Sequence, residues 1–219
     1  MVDSIAGIEI IAADICRALR EKHEYSSYAE VRLVADYFVE RPGPSGKRNL
    51  ESFKIMANAV SRNGDSLRKM IGVEVVGMTA CPCAMETVKE QYGNNVAFEN
   101  DLPIISHNQR NIATVMVEVP EEYDVEANEL IDLVESSFSS ATYEVLKRAD
   151  EAAVVLQAHQ QPKFVEDVVR TMLSKLLVHL EDMPDGALVT VRSESEESIH
   201  KHNAFAERTA SLGELRTGD

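Results

Sequence analysis

The chain has 219 residues, 44% of them apolar and 5% aromatic, with no Trp, which is room for one large domain or two small ones. Thirty-seven acidic against 22 basic residues give a net charge of -15, which argues against a non-specific nucleic-acid or anionic-membrane binder but leaves a local basic cluster free to take an anionic substrate. The 3 cysteines, Cys16, Cys81 and Cys83, are too few for a disulfide framework, no apolar run approaches the ~18–20 residues of a membrane span, and the N-terminus lacks the pattern of a signal peptide, so a soluble, cytoplasmic chain with reduced thiols is expected.

Residues 4–22 read as an amphipathic helix, with Ile5, Ile8, Ala12, Ile15 and Leu19 at three- and four-residue steps and Ser4 as its cap. Residues 28–39 alternate as a strand, 41–47 (RPGPSGK) form a loop, and a second helix is expected from Asn49 to about Met70, with a break near Asn63-Gly64. Residues 72–78 read as a strand that delivers the chain to Thr79-Ala80-Cys81-Pro82-Cys83. Residues 112–119 alternate as a strand, 125–148 carry a long helical pattern, Pro162 to about Leu180 a further helix, and 186–193 a last strand. The tail after His202 reads as a short helix and a mobile end. One half thus reads helix, strand, helix, strand and the other strand, helix, helix, strand, which predicts two related α+β modules with helices on one face of each sheet.

Five segments carry polar groups capable of chemistry. Cys81-Pro82-Cys83 follows a strand, where a thiolate can serve as ligand or nucleophile, and the two-residue offset suits one ligand rather than a zinc knuckle. Ser106-His107-Asn108-Gln109-Arg110 offers an imidazole, with Gln109 and Arg110 as partners for phosphate or carboxylate; alone it is an ordinary solvated loop. Lys147-Arg148-Ala149-Asp150-Glu151 places two bases beside two acids, either a solvated helix end or a carboxylate ligand next to a phosphate-binding pair. In Pro162-Lys163-Phe164-Val165-Glu166-Asp167 the helix dipole accounts for Asp167, less well for Glu166 among its apolar neighbours. Glu196-Glu197-Ser198-Ile199-His200-Lys201-His202 provides two imidazoles behind two acids, either an exposed polar segment or a ligand and a proton-transfer group. Together the segments provide Cys, His, Glu and His, a set that suits Fe(II) or Zn(II) with one place left for water.

These motifs, GVEVVGMTACPCA (72–84), SHNQR (106–110), YEVLKRADEA (143–152), PKFVEDVVR (162–170) and EESIHKHNAFAER (196–208), occur in an order that resembles the type IB GTP cyclohydrolases, most closely their archaeal branch, which feeds methanopterin synthesis. The resemblance covers about residues 5–215 and implies a tunnelling fold of two β-β-α-α-β-β modules, here 1–95 and 96–219, the first without its opening hairpin because the family's chains begin earlier. It implies metal ligands at Cys81, His107, Glu151 and His200, a guanine-anchoring carboxylate at Glu166, and proton-transfer and ribose- or phosphate-facing groups at Glu197 and His202; the basic side chains of Arg110, Lys147 and Arg148 are the candidates for triphosphate contacts. Fe(II) is the metal it implies, with Zn(II) or Mn(II) as alternatives, GTP is the substrate, and the assembly is a homotetramer with sites at subunit interfaces, possible completion of the first module by a separate N-terminal polypeptide being part of the same expectation. Two other readings stand beside it: a nitrile reductase of the same fold, which would use Cys as nucleophile and a nicotinamide cofactor, and a non-catalytic subunit that needs a partner segment. The His107, Glu151 and His200 set argues against the reductase.

Overall fold

Alternation on one face of a long antiparallel sheet decides the architecture. The computed structural model describes residues 7–63, 66–92, 104–120 and 123–218. Helix α1 (Ile8–Lys22) leads into β1 (Tyr28–Pro42) and β2 (Arg48–Arg62), which pair along their whole length, Tyr28 opposite Arg62 and Pro42 opposite Arg48. Their turn closes with Gly43 N–H to Lys47 O and Gly46 N–H to Gly43 O, both 2.8 Å, and Gly46 takes a left-handed φ of 77°, which only glycine adopts without strain.

The helix expected from Asn49 to about Met70 is therefore a strand, followed by the start of another. Helix-forming Glu51, Lys54, Met56 and Ala57 gave the segment its helical look, and apolar residues on both faces (Leu50, Met56 and Val60 against Phe53, Ile55 and Ala59) blurred its period of two. Pairing of β2 on both sides overrides that propensity. In α1 the predicted stripe is also shifted: Ala12, Ala13 and Cys16 are buried, whereas Ile15 and Leu19 are 41% and 38% exposed. Ser4 and Ile5 lie outside the described residues.

The sheet continues through β3 (Arg68–Ala80), β4 (Asn108–Glu118), the two-residue β5 (Ser140–Ala141), β6 (Leu188–Glu196) and β7 (Ala204–Ser211). Its order is β1-β2-β3-β4-β6-β7, all neighbours antiparallel, with β5 beside β3. One transverse row, Leu33, Ala57, Ile71, Val117, Val189 and Ala210, lies on the face that the helices cover. Helix α2 (Pro82–Tyr92) follows β3; α3 (Ala127–Glu135), α4 (Arg148–Gln160) and α5 (Val165–His179) lie between β4 and β6, and α6 (Leu212–Thr217) ends the described chain. Leu130, Ile131 and Val134 of α3 and Val168, Met172 and Leu176 of α5 pack on Val73, Val75, Val115 and Val191, each such burial contributing about 1.5–3 kcal/mol.

The strands and helices β3-β4-α3-α5-β6-β7 reproduce the β-β-α-α-β-β order, and α1-β1-β2 extends the same sheet, so the α+β, tunnelling-fold class holds. The division expected at 95/96 lies outside the described residues; β3 and β4, on either side of it, pair from Met70 opposite Glu118 to Ala80 opposite Asn108.

Two helical expectations fail locally. The pattern over 125–148 stops at Glu135, because Ser136 and Ser137 turn their hydroxyls back onto Asp132 O and Leu133 O, both at 2.7 Å, and so compete with the helix ladder. The segment after His202 is β7, paired with β6, and only then a short helix capped by Ser211. Among the described residues no helix is long and apolar enough to cross a membrane.

Candidate active site

Along the helix-covered face, β4 runs Val117, Val115, Ala113, Asn111, Gln109, and β6 opposite it runs Val189, Val191, Ser193, Ser195. Both strands change from apolar to polar toward the same end of the sheet, though all of these residues are buried. Buried polar groups need partners, and Ser193 Oγ donates to Asn111 Oδ1 at 2.6 Å while Ser195 Oγ donates to Glu197 Oε1 at 2.9 Å. On β3, Gly77 leaves room for the Phe138 ring, which lies where a Cβ would be.

Beyond that polar end the loops are tied together by backbone. Cys81, just past β3, donates its N–H to His107 O at 3.0 Å and accepts from Ser106 Oγ at 2.6 Å. Lys163 N–H donates to Ala80 O at 3.0 Å, which docks the start of α5 on the end of β3. Asp167 closes the first turn of α5 by accepting from Phe164 N–H at 2.9 Å. Burial works against that carboxylate, but this hydrogen bond and Arg170 outweigh it and hold its pKa below the usual range.

A cavity of about 330 Å³ opens among these loops. Cys81, Cys83, His107, Glu166, Glu197, His200 and His202 line it, together with Gln109, Lys163 and Ser195. Both cysteines are free thiols. His107 Nδ1 lies 2.9 Å from Gln109 Oε1 and 4.0 Å from Glu197 Oε2. The His107 and His200 rings meet edge to face with centroids 6.2 Å apart, and His200 stacks on His202 at 5.3 Å.

The structure thus brings six of the ten predicted site residues to one cavity: Cys81, His107, His200, Glu166, Glu197 and His202. The other four stand elsewhere. Glu151 is exposed in the first turn of α4, whereas the opposite end of that helix reaches the site through His159 Nε2, 3.1 Å from Ser106 O. Eight residues at 1.5 Å each put Glu151 about 12 Å up the helix axis from His159. Lys147 and Arg148 are exposed beside it, where Asp150 accepts from Ser45 Oγ of the β1–β2 turn at 3.3 Å. Arg110 alternates with Gln109, so it points from the opposite face of the sheet and lines a separate hollow with Val76, Thr142 and Glu144.

Sequence alone assigns no role to Lys163, His159 or Ser195 and makes Gln109 a partner for phosphate or carboxylate. Lys163 Nζ donates to Ser137 O at 2.8 Å, and burial pushes its pKa down. A lysine just ahead of a helix start opposes the helix dipole, which was the available signal that something else holds it. Serines at the core-facing positions of β6 were the corresponding signal for Ser195.

Among the described residues no three His, Cys, Asp or Glu side chains are gathered closely enough to hold one ion. The donor chemistry nevertheless fits a borderline divalent metal, since a thiol and two imidazoles share one cavity and His107 is engaged through Nδ1, leaving Nε2 free.

The candidate site is thus a cavity lined by Cys, His and Glu side chains at the strand ends of an antiparallel α+β fold. The sequence profile of the type I GTP cyclohydrolase folE2 family matches residues 4–206. The chain is similar to the GTP cyclohydrolase MptA of Methanothermobacter thermautotrophicus, 45% identical over 223 residues covering 95% of this chain and 70% of that protein. It is 43% identical to the GTP cyclohydrolase MptA 1 of Methanocella arvoryzae, covering 95% of this chain and 70% of the relative, and 43% identical to the GTP cyclohydrolase MptA of Methanosarcina mazei, covering 95% and 71%. The chain belongs to the type I GTP cyclohydrolase folE2 family.

Proposed function

We propose that the chain is a cyclohydrolase that opens the guanine ring of GTP at C8, releases formate and closes a 7,8-dihydroneopterin phosphate. The product we favour is the 2′,3′-cyclic phosphate, formed with loss of diphosphate, in tetrahydropterin and specifically methanopterin synthesis. The observation that carries the reading is the convergence of Cys81, His107, His200, Glu166, Glu197 and His202 on one cavity in a chain of this family.

Cys81, His107 and His200 would hold a divalent ion, Fe(II) in our reading and Zn(II) or Mn(II) as alternatives, with Glu151 as the fourth ligand. When bound, the ion supplies Lewis acidity that makes water nucleophilic near neutral pH. Glu166 accepts from guanine N1–H and the exocyclic amine, a two-pronged charge-assisted contact that turns C8 toward the Cys81 end of the cavity. Glu197, which accepts from Ser195, and His202, stacked on His200, would take and return protons at the imidazole nitrogens of the base and at the ribose. Lys163 also lines the cavity, its ammonium bonded to Ser137 O. Arg110, Lys147, Arg148 and Glu151 would act from surfaces that meet a neighbouring subunit, in the homotetramer that the family resemblance implies.

The test is an anaerobic assay of the purified chain with GTP and Fe(II), reading formate and oxidised-pterin fluorescence. Turnover lost on chelation and restored by Fe(II) supports the reading. Metal-loaded chain, assembled as an oligomer, that releases no formate overturns it.

A further inference from the structure

Gln109 is 8% exposed and sits on the helix-covered face of β4, between the cavity and the buried Thr79 of β3. Register pairing sets Thr79 directly opposite Gln109, so the two side chains share one face. The carboxamide uses both ends: Nε2 donates to Thr79 Oγ1 at 3.2 Å, and Oε1 meets His107 Nδ1 at 2.9 Å. An amide oxygen only accepts, so in this arrangement Nδ1 carries the proton and the lone pair of a neutral ring is on Nε2. Glu197 Oε2, at 4.0 Å from the same nitrogen, is beyond hydrogen-bond reach and does not compete.

We propose that Gln109 is a positioning residue that fixes the tautomer and ring orientation of His107, presenting Nε2 as a ligand atom, with Thr79 as the post that holds Gln109. The inference rests on the metal-site reading above. It extends that reading from the ligands to the group that orients one of them, and such partners change metal affinity by about 10–100-fold. A ring without this acceptor can take the other tautomer, which protonates Nε2, or rotate, which moves Nε2 from its place.

Two measurements test it. In the metal-free full chain labelled with nitrogen-15 in histidine, two-bond proton–nitrogen correlations should show His107 protonated at Nδ1, the signal being assigned by its loss in His107→Gln. Protonation at Nε2 would overturn the inference, and this result does not depend on any variant at Gln109 folding. In a Co(II) titration followed by visible absorption, Gln109→Met should bind about 10–100-fold more weakly and with altered ligand-field bands. Gln109→Glu, which keeps an acceptor facing Nδ1, should stay close to the unsubstituted chain; a merely structural role would disturb both variants alike. Unchanged affinity and bands in Gln109→Met would overturn this inference alone. Absence of Co(II) binding by the unsubstituted chain would overturn it together with the metal site.

Discussion

Ser106 and Cys81 are joined by a hydrogen bond from the Ser106 hydroxyl to the Cys81 carbonyl at 2.6 Å, while the Cys81 N–H bonds the carbonyl of the next residue, His107, at 3.0 Å. Two loops distant in sequence thus place a thiol and an imidazole at the mouth of one cavity. Ser106→Ala should cost about 1 kcal/mol of stability by removing the shorter of two hydrogen bonds to the Cys81 carbonyl, which also accepts from Met85 N–H at 3.3 Å. The larger effect should be on turnover, about tenfold, because the two side chains lose their mutual placement. Thermal unfolding and formate release measure the two effects separately.

Cys81 and Cys83 both line the cavity, but only Cys81 is fixed by the loop bonds and Cys83 is exposed. Cys81→Ala should abolish metal retention and turnover; Cys83→Ala should leave most of both. Metal content after desalting decides this, and the reverse pattern would move the ligand assignment to Cys83. Glu151→Gln should lower metal content only in the assembled oligomer.

Glu166 projects into the cavity from the first turn of α5, whose start is bound to β3 through Lys163 and Ala80. Glu166→Gln keeps its size and removes the charge that would accept two guanine donors. We expect kcat/KM for GTP to fall about 100-fold, with unchanged metal content, since a misplaced C8 costs turnover as well as binding.

Asp167 and Glu118 give the fold an acid limit. Burial works against both carboxylates, yet Phe164 N–H and Arg170 hold Asp167, and Arg68 with Leu188 N–H hold Glu118, below the usual range. A carboxylate whose pKa is lower folded than unfolded stabilises the fold above its unfolded value and loses that contribution as pH falls through the folded one. The melting temperature should therefore drop as pH falls below about 4. Asp167→Asn should melt lower at neutral pH and show a shallower acid decline, and an unchanged decline would remove Asp167 from this account.

The sheet's outline was legible where one face is apolar and the other polar, as in 72–78, 112–119 and 186–193. It was illegible at 48–62, where both faces carry apolar groups and helix-forming residues, so only pairing with β1 and β3 makes a strand. The site motifs were legible as short polar segments at strand and helix ends, and six of their residues do meet. Glu151, Arg110, Lys147 and Arg148 were read from their neighbours in sequence, which does not reveal that α4 carries its first turn away from the cavity or that Arg110 points from the far face of β4. The roles of Gln109 and Lys163 depend on partners 30 and 26 residues away in sequence and could be read only from the fold.

X-ray absorption of the Fe(II)-loaded chain tests the central claim most directly. The account predicts one metal per chain with a single sulfur scatterer at about 2.3 Å beside nitrogen and oxygen, and loss of that sulfur shell in Cys81→Ser. A metal surrounded only by oxygen and nitrogen, with a spectrum unchanged in Cys81→Ser, would contradict it.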